Sequence, residues 1–357
     1  MVQECSKSDT IPAAGEAALA GLLQGFEIDM PPADKLSALV RHGADQLALP
    51  GSGGTLERWR ALAQVAASDL GLAKLYEGHT DALATMAELH VHPPAPEGSR
   101  WAVWCAEPPG ERVLAAITDL SGAAKASSGA KVVLSGRKPW CSGAQAVDHG
   151  LVGGWLEDGQ RCLIAVSMHQ PGIATDGSTW QAVGMASSAS VDVCFDGATG
   201  MLVGEPGQYL GRPGFAHGGA GVAACWYGAA ARIGLYLHAA AAQGKDPYRQ
   251  AHLGAIDVAL SSAASLLREA AAQIDRTPTL PCLLAVQRAR LAVEAAVEEV
   301  LRRVPRAIGA GPLCKDRHLA LLMADLPVFV RQSHAERDQA ALGAHLVDMR
   351  EECPWML

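Results

Sequence analysis

Phenylalanine and tyrosine are scarce in this chain, at 4 and 5 copies in 357 residues. That scarcity excludes a core built on aromatic side chains. With 49% apolar residues and abundant alanine and glycine, it predicts helices packed closely through small side chains. Positive charge is short as well. Lys and Arg number 29 against 37 Asp and Glu, a formal charge of −8, and no basic block interrupts it. Nucleic acid and anionic membrane surfaces are therefore not expected partners. No apolar run reaches the length of a membrane span, and the opening MVQECSKSDT lacks the apolar core of a signal peptide. The nine cysteines (Cys5, Cys105, Cys141, Cys162, Cys194, Cys225, Cys282, Cys314, Cys353) stand singly, with no C-x-x-C. Such spacing suits buried thiols in a reducing compartment rather than a disulfide framework or zinc site. A cytoplasmic protein without a metal site is expected.

Three regions follow one another. Residues 1–97 read as helical: Leu19, Leu22 and Leu23 form one amphipathic set, and Leu36, Leu39 and Val40 another. Thr55 is positioned to cap a helix carrying Trp59, Leu62, Ala66 and Leu70 at helical spacing. The run His92-Pro93-Pro94-Ala95-Pro96 ends the block. Residues 98–205 read as a compact β-domain, with short strands at Trp101–Cys105, Lys131–Leu134, Leu151–Trp155, Cys162–Ser167 and Val191–Phe195. Residues 206–357 return to helix. Helices are predicted over Gly219–Gln243, from an Asp246-Pro247 start to Asp275, from Pro278 to about Arg306, and, unbroken, over Arg317–Leu346. Four such helices joined by short loops predict a four-helix bundle. The fold class is thus α+β and mostly α: helical domain, small β-barrel domain, bundle.

With that order established, four motifs resemble those of the acyl-CoA dehydrogenase superfamily across nearly the whole chain. Cys105-Ala106-Glu107-Pro108 stands where the family has T-E-P beside its flavin. Gly136-Arg137-Lys138-Pro139-Trp140-Cys141-Ser142 matches G-x-K-x-W-[IV]-[TS]. Gly184 to Asp196 follows the family's G-M-R-x-[ST]-x-[ST]-x-D-[VI]-x-F-[DE], and Leu322-Met323-Ala324-Asp325 falls at L-x-R-D. The resemblance implies FAD as cofactor, with Cys105, Ala106, Trp140, Cys141 and Ser142 around the isoalloxazine. A flat apolar ring with polar edges suits an indole, strand-end N–H groups and one hydroxyl. Ser190 of the third motif is assigned to the substrate. So are Arg212 and His217, in the Arg212–Gly219 stretch opening the bundle, where helix-terminal N–H groups could hold an anion.

The departures are informative. The T-E-P threonine is Ala106, and Ala240-Ala241-Ala242-Gln243-Gly244 lacks the arginine of R-x-x-F-G that reaches the flavin diphosphate. The family's base, the Glu of Y-E-G-T eight residues after the R-D aspartate, falls on Ser333. A serine cannot abstract a proton unaided. His334, with Glu336 and Asp338, is the remaining acid–base cluster, and Asp338 four residues on can fix the imidazole tautomer. Glu77-Gly78-His79-Thr80-Asp81 falls where a family helix borders the substrate cavity. The leading expectation is an FAD-dependent oxidoreductase acting on an acyl thioester, for instance a CoA thioester, or on a related carbon substrate. A flavin monooxygenase using His334 is the alternative, and a non-catalytic binding relative the third reading. Implied partners are a second copy (dimer or tetramer) and an electron-transfer flavoprotein or flavin reductase.

Overall fold

The computed structural model describes residues 15–118 and 127–349 and Trp355; Cys5, Cys353 and the opening decapeptide lie outside the described residues. Helices α1 (Glu16–Gln24), α2 (Pro32–Arg41), α3 (Thr55–Ser68) and α4 (Leu70–Glu88) come first. Helix α3 buries Trp59, Leu62, Val65 and Ala66 along one stripe, as their spacing requires. Thr55 begins this helix without capping it. Its hydroxyl accepts the Gly51 N–H at 2.8 Å and donates to Asp275 at 2.6 Å, so a distant partner takes it from the local one. Asp69 caps α4 through the Leu72 N–H at 2.9 Å and pairs with buried Lys35 at 2.7 Å.

Among the described residues seven strands follow: β1 (Trp101–Trp104), β2 (Val113–Ile117), β3 (Lys131–Cys141), β4 (His149–Leu156), β5 (Arg161–Ser167), β6 (Ile173–Asp176) and β7 (Val191–Leu202). The pairings run β4–β2–β3–β7–β5 and return from β5 to β4, which closes a barrel; β1 adds on β4 and β6 on β7. Val113, Leu134, Val152, Ile164, Val193 and Phe195 fill its interior. Strands β2 and β6 were not predicted. β6 buries none of its side chains, so ladder pairing to β7 forms it rather than a hydrophobic pattern.

The second helical block comprises α5 (Gln208–Gly211), α6 (Pro213–Ala242), α7 (Pro247–Arg276), α8 (Leu283–Ile308), α9 (Ala310–Lys315), α10 (Arg317–Phe329) and α11 (Glu336–Asp348). Asp246 caps α7 as expected, accepting from the Tyr248 and Arg249 N–H groups, with Pro247 in the first turn. The buried side of α6 sets Ala220, Ala223, Ala224, Ala229 and Ala230 around Trp226, with Ile233 and Leu237 further along. A Cβ on Gly228 would stand 2.1 Å from the Ala63 carbonyl oxygen, so α3 and α6 touch backbone to backbone. Small side chains line this α3–α6 contact as expected, whereas Leu, Val and Ile fill most of the remaining helical core. The last predicted helix is wrong in one respect: it is broken. A 3₁₀ turn at Val330–Gln332, extended Ser333 and Ala335 at φ +45° separate α10 from α11.

Candidate active site

The second motif forms the end of β3. Strands β3 and β7 slip once between Leu134 and Ser135, pair from Ser135 to Lys138 opposite Val193, and slip again so that Cys141 faces Val191. The second slip is a bulge that holds Trp140 in the left-handed region, φ +59°, with its side chain 53% exposed. A bulky residue in that region costs about 1–2 kcal/mol. Such strain around an exposed indole is typical of a functional position. Cys141 turns back into the barrel, and Ser142 follows it, nearly buried. The Ser142 N–H donates to the Trp140 carbonyl at 3.0 Å, and Trp104 Nε1 donates to the Ser142 carbonyl at 3.1 Å.

The third motif packs beside this strand end. Gly184 lies so close to α10 that a Cβ would sit 2.0 Å from the Ala324 carbonyl oxygen. Met185, also left-handed, donates its N–H to the Asp325 carboxylate at 2.6 Å. Burial raises the Asp325 pKa, and this hydrogen bond opposes the rise. Beyond Met185 three hydroxyls form a chain, with Ser142 Oγ 2.7 Å from Ser190 Oγ and that 2.9 Å from Ser188 Oγ.

The first motif contributes a buried ion pair. Lys138 Nζ donates to the Gly153 carbonyl at 2.9 Å and lies 3.3 Å from Glu107, which also accepts from Trp155 Nε1 at 3.0 Å. Ala106 supplies no hydroxyl. Burial pushes the Cys105 thiol up to about 11 and raises Cys141 as well, so neither is a thiolate near neutrality.

A further group of candidate residues lies at the break between α10 and α11. Ser333 points inward and donates to the Glu294 carboxylate at 2.5 Å, and Arg331 holds that carboxylate at 3.1 Å. Glu294 is buried in the apolar stripe of α8, between Val293 and Val297. Sequence reasoning missed it; a lone acid at a core position of that stripe was the available signal. His334 lies outside the helix on the exposed side. Asp338 does contact it, through Nδ1 at 3.4 Å and its backbone N–H at 3.1 Å, as the start of α11 rather than as a shared helical face.

Helix α4 supplies the remaining wall. Lys74, Gly78, Val103, Trp104 and Ser142 enclose a space with room for about one water. Lys74 Nζ lies 3.4 Å from Glu77, whose pKa burial raises against the pull of that ammonium. His79 is structural: its Nδ1 accepts the Trp101 N–H at 3.0 Å, which leaves Nε2–H for Asp45 at 3.1 Å.

The structure thus brings Trp140, Cys141, Ser142 and Ser190 together, with Cys105 and Ala106 at the end of β1. Arg212 and His217 are committed elsewhere. The Arg212 guanidinium donates to Glu88 at 2.6 Å and Thr85 at 2.7 Å, and His217 Nε2 meets the Leu280 carbonyl at 2.9 Å.

No family model matches the sequence, and no curated relative does. Solved structures do resemble it. TdsC from Paenibacillus sp. A11-2, a dibenzothiophene monooxygenase seen with FMN and indole, superposes with a TM-score of 0.78 at 18% identity, over 94% of this chain and 97% of its own. KijD3, seen with FMN and a dTDP-amino-keto sugar, gives 0.75 at 19% identity over 94% and 92% of the two chains. A nitrososynthase from Micromonospora carbonacea var. africana gives 0.74 at 17% identity over 94% and 95%. Together with the element order and the barrel, this likeness establishes that the chain has the acyl-CoA dehydrogenase fold.

Proposed function

We infer that the protein is a flavin-dependent oxidoreductase that transfers oxygen to a small substrate, with FMN as its flavin. The observation carrying this reading is the Ser333–Glu294 hydrogen bond. At the place of the family's base stands a hydroxyl already donating inward, so no carboxylate there receives a proton from a thioester. The residues present fit a flavin. Trp140 offers an exposed indole for the apolar ring, and Ser142 and the strand-end backbone offer polar contacts for its edge. FMN has one phosphate, and the missing arginine of the 240–244 stretch is the one that would serve a diphosphate. FMN in TdsC and KijD3 supports the same choice over FAD. Bound flavin would supply the electrons that split dioxygen, one oxygen atom passing to the substrate and the other leaving as water.

The protein's own residues do the rest. Lys74 and Glu77 put a charged pair on the helix that the resemblance places along the substrate cavity, a poor lining for an alkyl chain. His334, steadied by Asp338, stands beside the break as the acid–base candidate. Ser190 joins the hydroxyl chain at the ring edge. A flavin reductase as electron donor follows from this reading. So does self-association, since Leu235, Val258, Leu280 and Leu283 expose apolar surface on the bundle.

The test is to load the protein with FMN and offer a CoA thioester without oxygen, then to reduce the flavin chemically and admit oxygen. Because free reduced FMN consumes oxygen unaided, slower reoxidation and less hydrogen peroxide released than for free reduced FMN, without bleaching by the thioester, support the reading. Anaerobic bleaching by the thioester overturns it. That outcome would favour dehydrogenation, for which Glu294, one hydrogen bond behind Ser333, is the available carboxylate.

A further inference from the structure

We propose that Ser188 and Ser190 are positioning residues that make Ser142 a pure hydrogen-bond acceptor, so that the cleft prefers reduced flavin to oxidised flavin. The proposal rests on the flavin reading above. Its basis is a count of hydrogens along the chain of three serines.

A carbonyl oxygen only accepts, so the Ser188 hydroxyl, 2.8 Å from the Met185 carbonyl, donates its single hydrogen there. Ser188 Oγ then has only lone pairs for Ser190 at 2.9 Å, and Ser190 must donate to it. Ser190 has no further hydrogen, so at 2.7 Å it accepts from Ser142. The direction of all three bonds is thus set at the Met185 end. That end is itself fixed, because the Met185 N–H is held by Asp325. Relative exposures of 1%, 7% and 8% for Ser188, Ser190 and Ser142 leave little room for water to reverse the chain.

Ser142 now has no donor to offer. Its O–H points at Ser190 and its N–H at the Trp140 carbonyl, while its own carbonyl already accepts from Trp104. Only lone pairs of Oγ remain for a ring edge in the cleft. At N5 an oxidised isoalloxazine presents an unprotonated nitrogen, an acceptor. N3–H is a donor in both states, so the discrimination is made at the N5 edge. Reduction adds hydrogen to that edge and creates a new N–H donor. Lone pair against lone pair is unfavourable, whereas lone pair against N–H is a hydrogen bond, so the chain discriminates between the two states. A serine cluster serving only to pin the loop to β3 would change overall affinity and not this discrimination.

The experiment measures the dissociation constants of oxidised FMN and of chemically reduced FMN, the latter without oxygen, for the full chain and its variants. In Ser190→Ala and Ser188→Ala the preference for the reduced form is expected to fall by about five- to tenfold, the worth of one hydrogen bond. Ser190→Thr keeps the hydroxyl and should keep the preference within about twofold. Should Ser188→Ala fail to fold, the Ser190 pair decides alone. A folded Ser190→Ala protein with an unchanged ratio overturns the proposal while leaving flavin binding intact. Failure of the unsubstituted chain to bind either form overturns the flavin reading and this proposal together.

Discussion

The Asp325 carboxylate on α10 accepts the backbone N–H of Met185 at 2.6 Å, joining residues 140 positions apart and tying the serine loop to the bundle. Removing the acceptor with Asp325→Ala leaves that N–H buried and unpaired, at an expected cost of about 1–3 kcal/mol. Asp325→Asn keeps an acceptor oxygen and should cost less. Urea denaturation of the three proteins checks the order, and flavin retention should fall in the same order.

Trp140 sets local strain against binding. Trp140→Gly relieves the left-handed backbone but gives up conformational entropy, so stability without flavin should stay within about 1 kcal/mol of the parent. Affinity for FMN should fall by about tenfold or more with the loss of the exposed aromatic face. Fluorescence titration and a melting curve measure the two effects separately. A large loss of stability with unchanged affinity would return Trp140 to a packing role.

Glycine spacing makes a third test. Gly228→Ala drives a methyl into the Ala63 backbone, which cannot rotate away, and should cost about 2–3 kcal/mol or more. Gly254 on α7 faces open space, so Gly254→Ala should instead gain about 0.5–1 kcal/mol. Denaturant midpoints of the pair give the comparison at fixed chemistry.

Stability should also fall with acid in two stages. Burial lowers the pKa of His149, His217 and His318, so below about pH 6.5 the unfolded chain takes up protons that the folded one refuses, and stability declines. Asp148 behaves differently. Its hydrogen bonds to Arg100 hold its pKa at about 2, so its contribution is complete above the ordinary carboxylate value and is lost as pH falls towards 2. Urea midpoints from pH 8 to pH 3 should trace a first decline below about 6.5 and a second below about 4. A flat profile between pH 7 and 5 would contradict the histidine assignment.

The helix–barrel–bundle order was legible because composition shifts mark it, and the G-R-K-P-W-C-S and G-M-A-S-S matches led to the residues now found side by side. What escaped was decided by contacts distant in sequence. β3 was expected to end at Leu134, yet the ladder with β7 carries it through to Cys141. The interruption after Phe329 has no glycine within it and no proline. It forms where Ser333 turns to a carboxylate 39 residues earlier, which no local periodicity reveals. Glu294 was hidden for the same reason: its partner lies on another element. Arg212 looked available because its partners, Glu88 and Thr85, belong to a helix more than 120 positions away.

The placement of Asp325 and Ser333 on one helix and its exit has a consequence for variation in chain length. Asp325 ties the serine loop to α10, and Ser333 ties the exit of α10 to α8, so the segment between them sets the spacing of the two attachments. Changing a side chain there alters the spacing little. Adding or deleting one residue swings everything beyond it by about 100°, carrying Ser333 away from Glu294 and towards solvent. Insertions should be absorbed after Ala335, where α11 buries none of its side chains, and not within the stretch from Asp325 to Ser333.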